Sequence, residues 1–379
     1  MIRNVRIENY KSISALSIDL GRITVLIGAN GSGKSNILEA IALASAAAQN
    51  KLDNEFLSSR GIRVTETGFM RSAFEKNHEL NNDINISTLL ENGVELESIL
   101  PVDENVSYPM LTQRPRIDWK QRLNLTPYEQ RFVSQLEHDG IPEWEIMGFM
   151  VYRRSRSART LSRFLVYAPE NSALRTFQAE GQILPLGIRG EGLFAHLKGL
   201  NSEKHRDRLE KIKEKLRLID WFESFEIPTD LSPGERSIRI RDRYLPDGAL
   251  FDQRSANEGF LFLLFYLTLL ISPETPAFFS VDNVDTSLNP KLCIALVQEF
   301  VTLAKEYDKQ VILTTHNPAI LDGLNLHDDE QRLLVVDRKK DGHTRVHRID
   351  PPKPSAGHQP VRLSEAFMRG YIGGLPNNF

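Results

Sequence analysis

Hydrophobic and polar residues alternate in two stretches near the start of the chain. Residues 2–7 (Ile-Arg-Asn-Val-Arg-Ile) and 15–20 (Ala-Leu-Ser-Ile-Asp-Leu) carry the period of two expected of half-buried strands. Residues 23–27 (Ile-Thr-Val-Leu-Ile) are β-branched and apolar throughout, which predicts a buried strand. A helix-forming run over 36–51 follows. Further helices are predicted at 127–138 and 203–218. In the latter, Leu209, Ile212 and Leu216 share one face of an otherwise charged, solvated amphipathic helix. Residues 237–242 alternate as a strand, and 149–152 are strand-like. The continuous apolar run 259–271 is too short to span a bilayer and predicts a buried helix. Strands at 277–281 and 310–315 flank a helix over 290–306, with Leu292, Ala295, Leu296, Phe300 and Leu303 at helical spacing. Strand, helix, strand in this order predicts a right-handed crossover in a parallel sheet. Residues 337–342 read as a hairpin turn and 363–368 as one last helix.

Composition narrows the class. With 41% hydrophobic and 26% charged residues over 379 positions, the chain is globular and long enough for one large or two ordinary domains. No apolar run approaches the roughly 18 residues that cross a membrane, and the opening residues lack a signal-peptide core. A single cysteine, Cys293, excludes an internal disulfide framework and suits a reducing, cytoplasmic setting. The net charge of −3 gives no global attraction to nucleic acid, so any such contact is local.

Candidate chemistry centres on Gly28-Ala29-Asn30-Gly31-Ser32-Gly33-Lys34-Ser35, which fits G-x-x-x-x-G-K-[ST] between the strand at 23–27 and the following helix. Glycines allow backbone N–H groups to surround phosphate oxygens, and the helix N-terminus adds positive potential. Lys34 is placed to reach β- and γ-phosphates, and the Ser35 hydroxyl to ligate Mg²⁺. The chain is therefore expected to bind a nucleoside triphosphate with Mg²⁺. The strand 277–281 ends at Asp282, the Walker B pattern, whose carboxylate would hold Mg²⁺ through water opposite Ser35.

At these residues the chain resembles the ATP-binding heads of the SMC/RecF/OLD group within the ABC ATPase superfamily. Ile7-Glu8-Asn9-Tyr10-Lys11-Ser12 matches the opening phrase of those heads, although alone it reads as a strand-end turn. Residues 28–36, with Asn30 through Asn36 as nucleotide contacts, match their P-loop. The resemblance implies an α/β fold: a P-loop NTPase ABC-type head with a mostly parallel core sheet, an antiparallel N-terminal β subdomain and a mixed insertion. It places the catalytic Glu of the group at Asn283, whose amide orients a water but accepts no proton. Hydrolysis is then expected to be slow or absent, unless Asp285, otherwise a turn or cap residue, substitutes. His316, after the strand at 310–315, matches the switch histidine that contacts the γ-phosphate.

Two segments compete for the signature that completes a partner's site. Residues 231–235 (Leu-Ser-Pro-Gly-Glu) look like it but lead into a strand. Residues 255–259 (Ser-Ala-Asn-Glu-Gly) open a helix, with Ser255 or Asn257 as cap, and are preferred, with Ser255 and Gly259 facing the opposing nucleotide. A P-loop and a signature on one chain imply a homo-oligomer built from head-to-tail dimers with shared sites.

The resemblance divides the chain into a discontinuous head (1–48 and 145–349), an insertion or lid subdomain (49–144) and a tail (350–379). No heptad run supports a coiled-coil arm in the insertion. About 35 residues follow the last hairpin turn, too few for the nuclease domain appended to OLD-type proteins. Residues 187–193 resemble a phrase of predicted ATPases in this group; alone they form a glycine-rich turn before a helix. The arginines Arg153, Arg154, Arg156, Arg159 and Arg163 suit DNA or RNA phosphates, acids on a partner, or the nucleotide itself. Short heads of this kind resemble the ATPase components of bacterial anti-phage modules, Septu-type and related, which hold or gate a separate effector nuclease or toxin. The alternatives are a RecF-like DNA-repair ATPase and an ATP-locked scaffold without turnover.

Overall fold

The computed structural model describes residues 1–49, 51–65, 67–72, 83–100, 126–142, 146, 150, 156–177, 185–231, 235–351 and 361–375. It divides into two compact units. The first comprises Met1–Leu20, Asn30–Phe164 and Val336–Val346, and the second Gly21–Ala29, Leu165–Val335 and His347–Phe379. Twelve strands are described: β1 Ile2–Tyr10, β2 Ile13–Asp19, β3 Ile23–Ile27, β4 Ile84–Leu90, β5 Glu95–Leu100, β6 Val166–Tyr167, β7 Phe222–Glu226, β8 Arg239–Asp242, β9 Phe278–Val281, β10 Gln310–Thr315, β11 Gln331–Arg338 and β12 Thr344–Arg348. The principal helices are α1 Lys34–Ala47, α2 Pro127–His138, α3 Leu193–Leu200, α4 Arg206–Leu216, α5 Glu258–Ile271, α6 Pro290–Glu306 and α7 Leu363–Met368.

In the first unit, β2, β1, β4 and β5 form an antiparallel sheet in that order. Cross-strand pairs Val5–Ile18 and Ile7–Leu16 bring the two alternating stretches into register. On its other edge β1 pairs with β4, Ile7 opposite Ile86, so residues far along the insertion extend the N-terminal sheet. A register shift between Ile2 and Asn4 puts Ile2 and Val5 on the same buried side, which simple alternation would not. Helix α1 begins at Lys34, two residues before the predicted start, because the P-loop itself forms its first turn; it ends at Ala47.

The six-stranded sheet has the order β12-β11-β3-β10-β9-β6, and its strands β3, β10, β9 and β6 belong to the second unit. β3 lies parallel between β10 and β11, and β10 lies parallel beside β9, the predicted crossover. Helix α6 spans the predicted 290–306, with the Asn289 side chain accepting from Leu292 N at 2.9 Å and Pro290 at its first position. Helix α5 is buried from Phe260 to Ile271, a helix apolar on every side and therefore central. Burial of side chains of this size contributes about 1.5–3 kcal/mol each. The predicted helix over 203–218 divides into a 3-10 turn, Glu203–His205, and α4. Among the described residues no helix is long and apolar enough to cross a membrane.

Candidate functional site

The P-loop leaves β3 at Gly28; residues 28 and 29 belong to the second unit and 30–35 to the first. In the first unit, Gly31 and Gly33 take positive φ, +73° and +112°. A β-carbon on Gly33 would lie 2.1 Å from Thr344 Oγ1, so no side chain fits there. Thr344 belongs to a relay of hydrogen bonds. Asn36 Nδ2 donates to Ser12 Oγ (2.7 Å), the Ser12 and Thr344 hydroxyls meet at 2.7 Å, and Thr344 Oγ1 donates to the Ser32 carbonyl at 3.0 Å. Arg338 Nε donates to the Gly31 carbonyl at 2.8 Å. The loop is thus held from the phrase before it and from a strand some 300 residues after it.

The same phrase grips α1. Glu39, buried on that helix, pairs with Lys11 and with Arg63 Nε at 2.5 Å. Asn9 and Lys11 sit at φ +57° and +47°, and the Asn9 side chain bonds Ser72 N and the Asp83 carbonyl, both at 3.2 Å. Burial, followed by the Glu39 charge and hydrogen bond, pushes the Tyr10 phenol well above its ordinary range. The phrase is therefore a strand-end turn and also a brace for the P-loop.

The start of α1 suits an anion. Gly33 supplies no side-chain cap, and no acid occupies the first turn, so the positive end of the helix carries no acidic counter-charge of its own. Ser32 Oγ is buried without a hydrogen-bond partner. Lys34 is itself buried. Backbone donors, an orphaned hydroxyl and a lysine form the donor set that phosphate oxygens accept from.

In the second unit, the C-terminal ends of three parallel strands lie level: Ile27 opposite Thr315, and Leu313 opposite Val281. Ligands of parallel sheets bind at this edge. Asp282 leaves β9 here, its N–H bonded to the Tyr167 carbonyl at 2.8 Å and its carboxylate accepting from Thr314 Oγ1. Thr314 Oγ1 also accepts from Asn283 N at 2.8 Å. Asn283 is exposed at φ +54°, a left-handed conformation that Asn tolerates better than most residues. Asp285 accepts from Thr315 Oγ1 at 2.6 Å, the turn-holding role expected of it. Burial first, then the Asp285 charge, pushes the Cys293 thiol up to about 11, so it stays protonated at neutral pH. His316 follows β10 and is exposed.

The preferred signature segment opens α5 in the same unit. Asn257, not Ser255, is the cap, accepting from Phe260 N at 2.8 Å. Ser255 is exposed, and its N–H is held by Asp252. Arg175 Nη1 donates to the Ala256 carbonyl at 2.9 Å. Glu258 accepts from Ser287 Oγ (2.6 Å) and from Asn171 Nδ2 (2.7 Å), joining the signature segment to the turn after Asp285. Gly259 faces that turn as well, 3.4 Å separating its would-be β-carbon from the Ser287 carbonyl. Residues 232–234 of the competing segment lie outside the described residues, as do Arg153, Arg154, Val151 and Tyr152. Arg156, Arg159 and Arg163 are exposed on and after a short helix, Arg156–Ser162.

Thr344, Arg338, Glu39 and Arg63 support the loop, and none stood out in the sequence. The paired threonines ending β10 carried a signal, since two hydroxyls closing a buried strand need partners. Thr344 carried none.

A braced P-loop opening an uncapped helix in the first unit, and a Walker B strand parallel to a histidine-ended strand in the second, are the features of a P-loop ATPase head of the ABC/SMC-like class. The sequence matches, over residues 23–322, the family described as "AAA domain, putative AbiEii toxin, Type IV TA system", and the chain belongs to that family. No curated protein matches it. Among solved structures, the Smc head bound to the C-winged helix domain of ScpA matches with TM-score 0.51 at 14% identity, covering 92% of this chain and 98% of that one. The SMC head domain from Thermotoga maritima matches with TM-score 0.46 at 15% identity, covering 92% and 99%. The chain has the SMC-head type of α/β fold.

Proposed function

We propose that this chain binds ATP with Mg²⁺, dimerises head to tail through shared nucleotides, and holds or gates a separate effector protein, a nuclease or toxin, in anti-phage defence. The observation that carries the ATP reading is the braced, uncapped N-terminus of α1. Lys34 supplies positive charge to the phosphates, and the backbone donors around Gly31 and Gly33 orient them. The oxygens of Ser35 and Asp282 suit Mg²⁺, which would neutralise charge on the phosphate oxygens when bound. Thr314 fixes the Asp282 carboxylate by its hydrogen bond. Asn283 presents an amide where the family resemblance expects a base, so water is oriented but not deprotonated. We assign the γ-phosphate contact to His316, exposed after β10. The slow cycle that follows suits an ATP-held clamp. A partner protein is in keeping with the Smc head solved with ScpA.

Light scattering on the purified chain tests the dimer. The expected result is a doubling of mass with Mg–ATP, lost in Lys34→Ala and in Ser255→Arg. An unchanged mass at saturating ATP would contradict it. A second reading, a RecF-like ATPase on duplex DNA, draws on the exposed Arg156, Arg159 and Arg163. Duplex binding that falls steeply with salt would favour it.

A further inference from the structure

The segment after α7, residues 369–375, reaches the P-loop from the far end of the chain. Gly374 is buried at φ +82°, and a β-carbon there would lie 2.8 Å from Val335 Cγ1, 3.1 Å from Phe367 Cε2 and 3.5 Å from Gly28 Cα. Gly28 is the first P-loop residue, and Val335 lies beside it on β11, directly opposite Ile27. The preceding turn is pinned where His347 Nε2 meets the Ile372 carbonyl at 3.1 Å. Gly373 and Gly374 both have positive φ, which lets the backbone itself, with no side chain between, lie against Gly28. Gly370, with the same kind of conformation (φ +76°), has among the described residues only Leu375 Cδ1 within reach, at 3.9 Å.

We infer that residues 372–375 are a working part of the nucleotide site. Gly374 is a positioning residue that sets the exit of the P-loop from β3, and nucleoside triphosphate binding and the seating of this segment are coupled. The inference rests on the ATP-binding reading above. Coupling is reciprocal: if the seated segment favours the binding form of the loop, bound nucleotide must hold the segment in place.

The test compares Gly374→Ala with Gly370→Ala. Both put a β-carbon on left-handed backbone in one segment, but only the first presses on Val335 and Phe367, the side chains that seat Gly374 against Gly28. Mg–ATP binding is measured by calorimetry, with thermal midpoints taken alongside, and amide exchange across 369–375 is followed with and without Mg–ATP. Gly374→Ala is expected to weaken binding about tenfold or more, as overpacking of a close contact does. Gly370→Ala is expected to bind as wild type, and ATP is expected to slow exchange in the segment. Wild-type binding by a folded Gly374→Ala would overturn the inference. So would equal loss in both variants, or exchange in the segment indifferent to ATP. If Gly374→Ala does not fold, the exchange measurement on the natural chain decides alone. A natural chain that binds no ATP would overturn the ATP reading itself, and this inference with it.

Discussion

At the scale of single residues, Thr344 does two jobs for the P-loop. Its bulk fills the space that makes Gly33 obligatory, and its hydroxyl links Ser12 to the Ser32 carbonyl. Thr344→Val keeps the bulk and removes both hydrogen bonds. Ser12 keeps its bond from Asn36, but depriving the Ser32 carbonyl of this donor costs about 1–3 kcal/mol. We expect ATP affinity to fall roughly tenfold in this variant by calorimetry, with the fold intact by circular dichroism; unchanged affinity would mean that the relay does not shape the loop. Asn283 is the other residue on which the account turns. Its left-handed backbone and exposed amide end the Walker B strand, and its N–H is tied to Thr314.

At the scale of elements, α5 is fixed at both ends by different chemistry. Its N-terminus carries the Asn257 cap and the Glu258–Ser287 link. Beyond its C-terminus, the buried Lys309 ammonium donates to the carbonyls of Ser272 (2.9 Å) and Thr275 (3.0 Å), a cation at the negative end of the helix. His196 Nε2 meets Ser272 Oγ at 2.7 Å in the same place. Burial lowers the His196 pKa below its ordinary 6.5, against the opposing pull of Glu274 and with smaller help from Lys309 and His205. Protonation therefore favours the unfolded chain: the contribution is fully present above about pH 6.5 and is lost as pH falls towards the folded-state value. Thermal midpoints should drop on acidification through this window, and His196→Gln should show a shallower drop. Parallel curves for the two proteins would contradict that assignment.

At the scale of the molecule, the parts legible in the sequence were those whose causes are local. The strand at 23–27, the P-loop and the opening of α1 follow from composition and spacing within about twenty residues. Helix α6 is placed by its apolar spacing and lies where that spacing puts it, with Asn289 as the cap that the structure adds. The pairing of β1 with β4 was not legible, because it joins residues some 80 positions apart through an alternation shared by any exposed strand. The brace from Thr344 and Arg338, and the seating of Gly374 on Gly28, were hidden for the same reason. The choice of Asn257 over Ser255 as cap turned on two residues of helix register, finer than pattern reading resolves.

The central claim is that this head binds ATP firmly and turns it over slowly because an amide stands at the position of the general base. The most direct measurement is steady-state phosphate release by the purified chain beside Asn283→Glu and Lys34→Ala. The account predicts little or no release by the natural protein, none by Lys34→Ala, and a rise of roughly a hundredfold or more in Asn283→Glu, the usual contribution of a placed base. Rapid release by the natural protein that Lys34→Ala abolishes and Asn283→Glu does not raise would contradict it, and another group, such as Asp285 two residues further on, would have to act as the base.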